Sequence, residues 1–225
     1  MHTYEIEIKS LLGSGEKALS VRERMRVLDP ETKRVGENKQ LNHYFVGGSM
    51  DVLYARAALL FPEEQQKKLK KIIEDGKSFS IRTRRLDSRI LLVVKASIDD
   101  TTSANGISRI EFEEEARGTT LDELDSILIG AGFSYQAKWS REREEYLCKG
   151  VHVCLDKNAG YGYVAEFEKM VDDAALAPAA REELRALMAA LDVAELPQDR
   201  LERMFAFYNQ NWPDYYGTEK IFTIE

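Results

Sequence analysis

The feature that most constrains this chain is an alternation of charged with apolar residues at a spacing of two, repeated in several short segments. Glu5, Glu7 and Lys9 alternate with Ile6 and Ile8. Arg82 and Arg84 share one parity, and Lys95 follows in a run that is otherwise Leu-Leu-Val-Val. Arg109, Glu111 and Glu113 alternate with Ile110 and Phe112; His152, Cys154 and Asp156 with Val151, Val153 and Leu155; Glu166 and Glu168 with Ala165 and Phe167. On a β-strand such spacing puts each set on one face. One charged strand face is ordinarily a solvated face. Here the sets contain both signs and complement one another. If the strands close into a barrel, either the apolar face fills the interior or the charged face does.

Amphipathic helical segments lie between the strands and need an apolar sheet face to cover. Ser14–Leu28 carries Ala18, Val21, Met25 and Leu28 at helical spacing, and Asp29-Pro30 ends it. Met50–Asp75 reads as helical with a break at Pro62, and Gly76 closes it. Thr120 and Glu123 form a capping box for a helix over Leu121–Ala131. Two more helices are expected near Ala179–Leu191 and Pro197–Asn209. Helices on the apolar faces would leave the charged faces inside.

Strands are expected at Tyr4–Ser10, Leu41–Val46, Ser78–Leu86, Ile90–Ser97, Arg109–Glu115, Ser134–Ser140, Arg141–Leu147, Val151–Asp156 and Tyr163–Val171, with the continuity of the sixth and seventh left open. Asp87-Ser88 and Lys149-Gly150 read as hairpin turns, and Asp99–Gly106 as a polar loop. With no linker or repeat, the expectation is an α+β fold: one eight-stranded antiparallel β-barrel with a charged lumen, helices packed outside and a C-terminal helical cap. The whole of 1–225 would be one domain, with the barrel over about 1–171 and the helical extension over about 172–225.

Composition excludes several classes. The 225 residues carry 32 Lys and Arg against 39 Asp and Glu, a net charge of −7, so no nucleic-acid partner is expected. No stretch approaches the ~20 apolar residues of a membrane helix, and Glu5, Glu7 and Lys9 stand where a signal peptide would be apolar. A cytoplasmic protein without membrane association is expected. Cys148 and Cys154 are too few for a disulfide framework and read as buried fillers.

Mixed acids and bases on one strand face suit a metal–polyphosphate complex. Lys and Arg forks match phosphate oxygens, and carboxylates hold divalent ions that bridge them. Buried charges are otherwise costly.

Taken in order, the charged blocks resemble the CYTH superfamily of triphosphate tunnel metalloenzymes. Glu5-Ile6-Glu7-Ile8-Lys9 resembles the family's Glu-x-Glu-x-Lys signature, and Gln40-Leu41-Asn42-His43-Tyr44-Phe45 its second strand. Arg82-Thr83-Arg84, Val94-Lys95 and Arg109-Ile110-Glu111-Phe112-Glu113 resemble its next blocks. Lys138, Arg141, Arg143 and Tyr146 fit its basic block, and Leu155-Asp156 through Gly162 to Glu166-Phe167-Glu168 its last signature. The chain departs from the family where Val46-Gly47-Gly48 stands in place of an acid after Tyr-Phe.

The resemblance implies an eight-stranded tunnel in which Lys9, Arg82, Arg84, Lys95, Arg109, Lys138, Arg141 and Arg143 hold a triphosphate. It implies that Glu5, Glu7, Glu111, Glu113, Asp156, Glu166 and Glu168 bind Mg²⁺ or Mn²⁺, and it makes Glu5, Glu7 and Lys9 the candidate catalytic residues. It is compatible with a homodimer. The ligand class is a triphosphate-containing small molecule: inorganic triphosphate, ATP or another nucleoside triphosphate, or thiamine triphosphate. Hydrolysis is the first reading. Cyclisation of ATP to cyclic AMP and pyrophosphate, as in class IV adenylyl cyclases, uses the same clamp and stays open. So does non-catalytic polyphosphate binding, although acids on several strands argue against it.

Four further features have ordinary readings. Gly13-Ser14-Gly15 is a helix start, not a phosphate loop, and Lys67–Lys71 is a solvated helix face. His152 reads as a hydrogen-bonded structural histidine that could also face the tunnel. Tyr208, Trp212, Tyr215 and Tyr216 read as a surface that pins the tail.

Overall fold

A computed structural model describes residues 4–97 and 109–224. The loop expected over Asp99–Gly106 and the side chains of Glu5 and Arg109 lie outside what is described. The described residues form eight strands and six α-helices. The strands are β1 (Tyr4–Gly13), β2 (Lys33–Gly47), β3 (Ser78–Leu86), β4 (Arg89–Ser97), β5 (Arg109–Glu115), β6 (Phe133–Cys148), β7 (Val151–Asn158) and β8 (Gly162–Val171). The helices are α1 (Gly15–Leu28), α2 (Met50–Ala57), α3 (Glu63–Asp75), α4 (Leu121–Gly130), α5 (Ala177–Ala190) and α6 (Gln198–Asn211).

The local signals act where expected. Ser14 caps α1 by accepting from the Lys17 N–H at 3.3 Å, so the Gly-Ser-Gly stretch is a helix start. Thr120 and Glu123 close the capping box of α4. Pro62 stands at the start of α3 after a 3₁₀ turn over Ala58–Leu60, and Gly76 ends that helix. Lys149 and Gly150 both take positive φ, 48° and 75°, which a two-residue hairpin of this twist needs.

Two strands differ most from expectation. β2 begins at Lys33, not Leu41, because its polar first half has no apolar alternation to betray it. β6 is one continuous strand of 16 residues. Phe133 and Tyr135 join one apolar core, whereas Tyr146 and Cys148 join another. The buried parity therefore shifts by one along β6, which is why its sequence reads as two strands.

The hydrogen-bonded order is β1-β8-β7-β6-β2-β3-β4-β5. β1 pairs with β8 and β5 with β4, both antiparallel, and no ladder joins β1 to β5 among the described residues. The barrel expected from the sequence is thus an eight-stranded antiparallel sheet whose two end strands are not hydrogen-bonded to each other. Two compact units can be described, 1–39 with 140–225, and 40–139, with β2 and β6 contributing to both.

In the first unit, Ile6, Ile8, Val151, Val153, Leu155, Ala165 and Phe167 pack against α1 through Ala18, Val21 and Met25, and against α5 through Ala180, Leu184, Leu187 and Met188. In the second, Phe45, Ile81, Leu92, Val94 and Phe112 pack against Leu53, Leu69, Ile72, Leu124 and Leu128 of α2, α3 and α4. The helices therefore cover the apolar parity of the strands in each unit, and the charged parity lies on the other face. Lys67, Lys68, Lys70 and Lys71 are exposed on α3, as a solvated helix face should be.

The C-terminal extension is fastened to β7–β8. Phe222 donates its N–H to the Gly160 carbonyl at 2.9 Å, and the Tyr161 ring lies 4.8 Å from Phe222 and 5.6 Å from Tyr208. Gly160 has φ +76°, and a Cβ there would meet Phe222 at 2.8 Å and Tyr208 at 2.9 Å, so only glycine fits. Tyr208 is fully buried, so the tail's aromatic residues do pin it down.

Leu184 on α5 is fully buried, whereas Leu19 on α1 is half exposed. Leu184→Ala is expected to lower unfolding free energy by about 2–5 kcal/mol and Leu19→Ala by less than about 0.5 kcal/mol, both read by urea denaturation.

Candidate functional site

On the face of the first unit opposite α1 and α5, strand register assembles two cross-strand rows. Lys9 stands opposite Glu166, which stands opposite Cys154, which stands opposite Glu145. One step along, Glu7 stands opposite Glu168, which stands opposite His152. Arg143 is opposite Asp156.

These positions are joined by ion pairs. Lys9 Nζ donates to Glu166 Oε1 at 2.6 Å and also to Glu7. Arg143 grips Asp156 with two bonds, Nε to Oδ1 at 2.8 Å and Nη2 to Oδ2 at 2.7 Å, and also pairs with Glu166. Arg141 reaches Asp156 at 3.2 Å. The Asp156 and Glu166 side chains are only 1% and 12% exposed. Burial opposes ionisation of Glu166, but the charges of Lys9 and Arg143 outweigh it and hold the carboxyl below its ordinary range. Arg143 is raised further from neutrality: burial opposes its charge, and the bonds and charges of Asp156 and Glu166 more than compensate. Asp156, expected on the metal side, thus serves in this state as the acceptor that holds both Arg141 and Arg143.

Carboxylate oxygens of Glu7, Glu166 and Glu168 lie within 4.8 Å of one another. Glu7 and Glu168 are like charges placed directly opposite across a ladder, and the Lys9 ammonium on Glu7 relieves part of that repulsion. Three hard oxygen donors at this spacing fit Mg²⁺ or Mn²⁺. A second group, His152, Cys154 and Glu168, shares the last of these residues. Cys148 is a core filler, as expected, but Cys154 sits on the charged parity, where burial pushes its thiol up to about 12.

The second unit carries its own set. Arg84 donates through Nε to Asn42 Oδ1 at 2.7 Å and through Nη1 to Glu113 Oε1 at 2.6 Å. Arg82 donates to the Tyr44 hydroxyl at 2.9 Å, with its guanidinium 4.9 Å from that ring's centre. Lys95 pairs with Glu111 at 3.0 Å. Lys138 lies over the Tyr135 ring at 4.1 Å, which ties it to the residues around Asp125. Asn42 and Tyr44 orient the arginine pair, a role their block in the sequence did not disclose.

Sequence reasoning also missed a buried network on the helix side of β2 and β3. Asp125 of α4 is 1% exposed and accepts from Thr83 Oγ1 at 2.5 Å and from the Tyr135 hydroxyl at 2.7 Å, and it meets His43 Nδ1 at 2.6 Å. These bonds outweigh the burial that would raise its pKa, so Asp125 is held below the usual carboxylate value. An ionised carboxylate only accepts, so His43 carries its proton on Nδ1. Thr83 lies between Arg82 and Arg84, and His43 between Asn42 and Tyr44, so the network clamps from behind the two strands that present them. The signal was present: Asp125 falls on the apolar stripe of Leu121, Leu124 and Leu128, where a carboxylate needs buried partners.

Each unit therefore presents Lys and Arg interleaved with carboxylates on the strand face opposite its apolar core. The chain belongs to the CYTH domain family, whose model matches residues 73–200. CYTH-domain proteins are typically triphosphate-directed metalloenzymes of the triphosphatase and adenylyl cyclase kind. A proposed adenylate cyclase from Vibrio parahaemolyticus has a similar fold, with TM-score 0.55 and 17% identity over 92% of this chain and 99% of that one. A conserved hypothetical protein from Pyrococcus furiosus gives TM-score 0.54 at 18% identity, covering 85% of this chain and 92% of its own. A Pyrococcus horikoshii protein gives 0.53 at 20% identity, over 87% and 94%. These likenesses establish the fold. No curated protein matches the sequence. Among the described residues, no helix is long and apolar enough to cross a membrane.

Asp125→Asn should cost about 1–3 kcal/mol, because three donors lose a charged acceptor. A depressed folded pKa means that the ionised carboxylate stabilises the fold in full above the unfolded value of about 3.9. That contribution is lost as pH falls through the lower folded value. Urea denaturation at pH 7 and at stepwise lower pH should show the wild-type advantage over Asp125→Asn shrinking only at the acid end.

Proposed function

We propose that this protein is a Mg²⁺- or Mn²⁺-dependent triphosphatase acting on inorganic triphosphate or on an organic or nucleoside triphosphate. The observation that carries the reading is the pairing of cations with carboxylates on the strand faces opposite the apolar cores: Lys9 with Glu7 and Glu166, Arg143 with Asp156 and Glu166, Arg84 with Glu113, and Lys95 with Glu111. Closure of the strands into a tunnel is part of the proposal and rests on family membership.

Paired charges solve an energetic difficulty before substrate arrives. An isolated buried charge costs several kcal/mol, roughly, and its partner offsets that cost. A triphosphate with a divalent ion offers the same charges in a different order, so substrate binding exchanges partners instead of creating new ones. Lys9, Arg82, Arg84, Lys95, Arg109, Lys138, Arg141 and Arg143 would turn to phosphate oxygens, where forked guanidinium groups bind best. Glu7, Glu166 and Glu168 would hold the ion, with Glu5, Glu111, Glu113 and, once its arginines turn, Asp156 as further acidic candidates. Once bound, the ion supplies charge neutralisation at the triphosphate oxygens.

Lys9 has a particular place. It bridges Glu7 and Glu166, so it stands between the acidic set and any phosphate beside it. A cation so held needs little reorganisation to stabilise charge that develops on a transferring phosphoryl group. Hydrolysis then requires a water in line with the terminal phosphorus.

Ion-exchange analysis of products decides the reading. The protein is incubated with inorganic triphosphate and, separately, with ATP, each with Mg²⁺, with Mn²⁺ and with chelator. Orthophosphate with pyrophosphate or ADP, lost with chelator, is the expected outcome. Cyclic AMP with pyrophosphate, or no turnover at all, would overturn it. Glu7→Gln and Glu166→Gln should reduce turnover at least about tenfold with circular dichroism unchanged, and wild-type rates in both would remove the metal assignment. Arg84→Ala should weaken substrate binding by about ten- to a hundredfold, the value of a hydrogen bond between charged groups at roughly 1.5–3 kcal/mol.

A further inference from the structure

The acidic set accounts for Glu168 but leaves its two remaining neighbours unexplained. His152 and Cys154 are two residues apart on β7 and share its charged parity, and Glu168 on β8 is directly opposite His152. One nitrogen, one sulfur and one carboxylate oxygen from these residues lie within 4.8 Å of one another. We propose that His152, Cys154 and Glu168 form a second metal site, selective for Zn²⁺-like ions over Mg²⁺.

The donor chemistry carries the selectivity. Mg²⁺ demands oxygen donors in near-octahedral order and binds thiols poorly. An imidazole, a thiolate and a carboxylate are the donors that Zn²⁺ and Co²⁺ prefer. Bonds of about 2.0–2.3 Å to a tetrahedral ion set donors roughly 3.3–3.8 Å apart, so small side-chain rotations suffice to close the group. Strand geometry helps: alternate residues of β7 project from one face, and a directly opposed partner on β8 completes a triangle without a loop having to order. Three protein donors leave a fourth position for water or a ligand oxygen, as in open zinc sites. Coordination replaces the Cys154 S–H bond with a sulfur–metal bond and releases the proton to solvent.

Glu168 belongs to both donor sets, so the two sites share a ligand. An ion held by His152 and Cys154 draws Glu168 away from Glu7 and Glu166. The consequence is antagonism: a Zn²⁺-like ion weakens hard-ion binding at the carboxylate set. The site itself does not depend on the triphosphatase reading. A protein that bound Co²⁺ through Cys154 and hydrolysed nothing would uphold the site and overturn that reading.

The test uses full-length, metal-free protein titrated with Co²⁺, the coloured substitute for Zn²⁺. The expected result is a thiolate-to-cobalt charge-transfer absorption saturating at one ion per chain. It should persist in Cys148→Ser and vanish in Cys154→Ser. His152→Asn should weaken Co²⁺ binding by at least the roughly tenfold that loss of even an outer-shell partner costs. Stoichiometric Zn²⁺ should abolish the absorption, and millimolar Mg²⁺ should not. If Cys154→Ser does not fold, the wild-type competition still decides. No charge-transfer absorption in wild type, its survival in Cys154→Ser, or its loss to Mg²⁺ as readily as to Zn²⁺ would overturn the site.

Discussion

The structure depends on the pairing of opposite charges across neighbouring strands. Lys9 held between Glu7 and Glu166, and Arg143 gripping Asp156, let the strand face opposite the apolar core carry carboxylates as shielded as Asp156. Remove one member and its partner becomes an uncompensated charge in a partly dry place, which costs far more than the pair gains. The pairs are therefore not chiefly a source of stability. They are what permits a densely charged surface to exist on a folded sheet at all.

The other face does the work of folding. Leu, Ile, Val and Phe side chains of the strands meet α1 and α5 in one unit and α2, α3 and α4 in the other. Apolar packing and charge are thereby separated by parity: odd and even positions of the same strand answer to different demands. Asp125 is the exception that joins them. It lies in the apolar layer yet bonds to His43, Thr83 and Tyr135, whose neighbours Asn42, Tyr44, Arg82 and Arg84 make up the charged set. Packing alone fixes how deep a strand lies. Directional bonds to one carboxylate also fix how two adjacent strands sit against each other.

The charged set is also uneven in kind. Arginines are held by forked or aromatic contacts that restrict them to one orientation, as with Arg82 on Tyr44 and Arg143 on Asp156. Lys9 and Lys95 act as point charges beside carboxylates. Guanidinium forks match paired oxygens, and an ammonium held between carboxylates is a preorganised point charge.

Much of this was legible in the chain alone, and the reason is local. Alternation at a spacing of two needs no partner to be read, so β1, β3, β5, β7 and β8 and their charged faces followed from residue order, and β4 from its continuous apolar run. The cap at Thr120, the stop at Gly76 and the turn at Lys149-Gly150 are equally short-range. What required the tertiary structure was everything set by a distant neighbour. The first half of β2 is a strand that its own residue order does not mark. β6 is continuous although its buried parity shifts, since each half answers to a different core. Register decided that Asp156 holds arginines, that Glu7 faces Glu168, and that His152, Cys154 and Glu168 meet. A strand's sequence specifies which face each side chain occupies; only pairing across the sheet specifies which side chain it will touch.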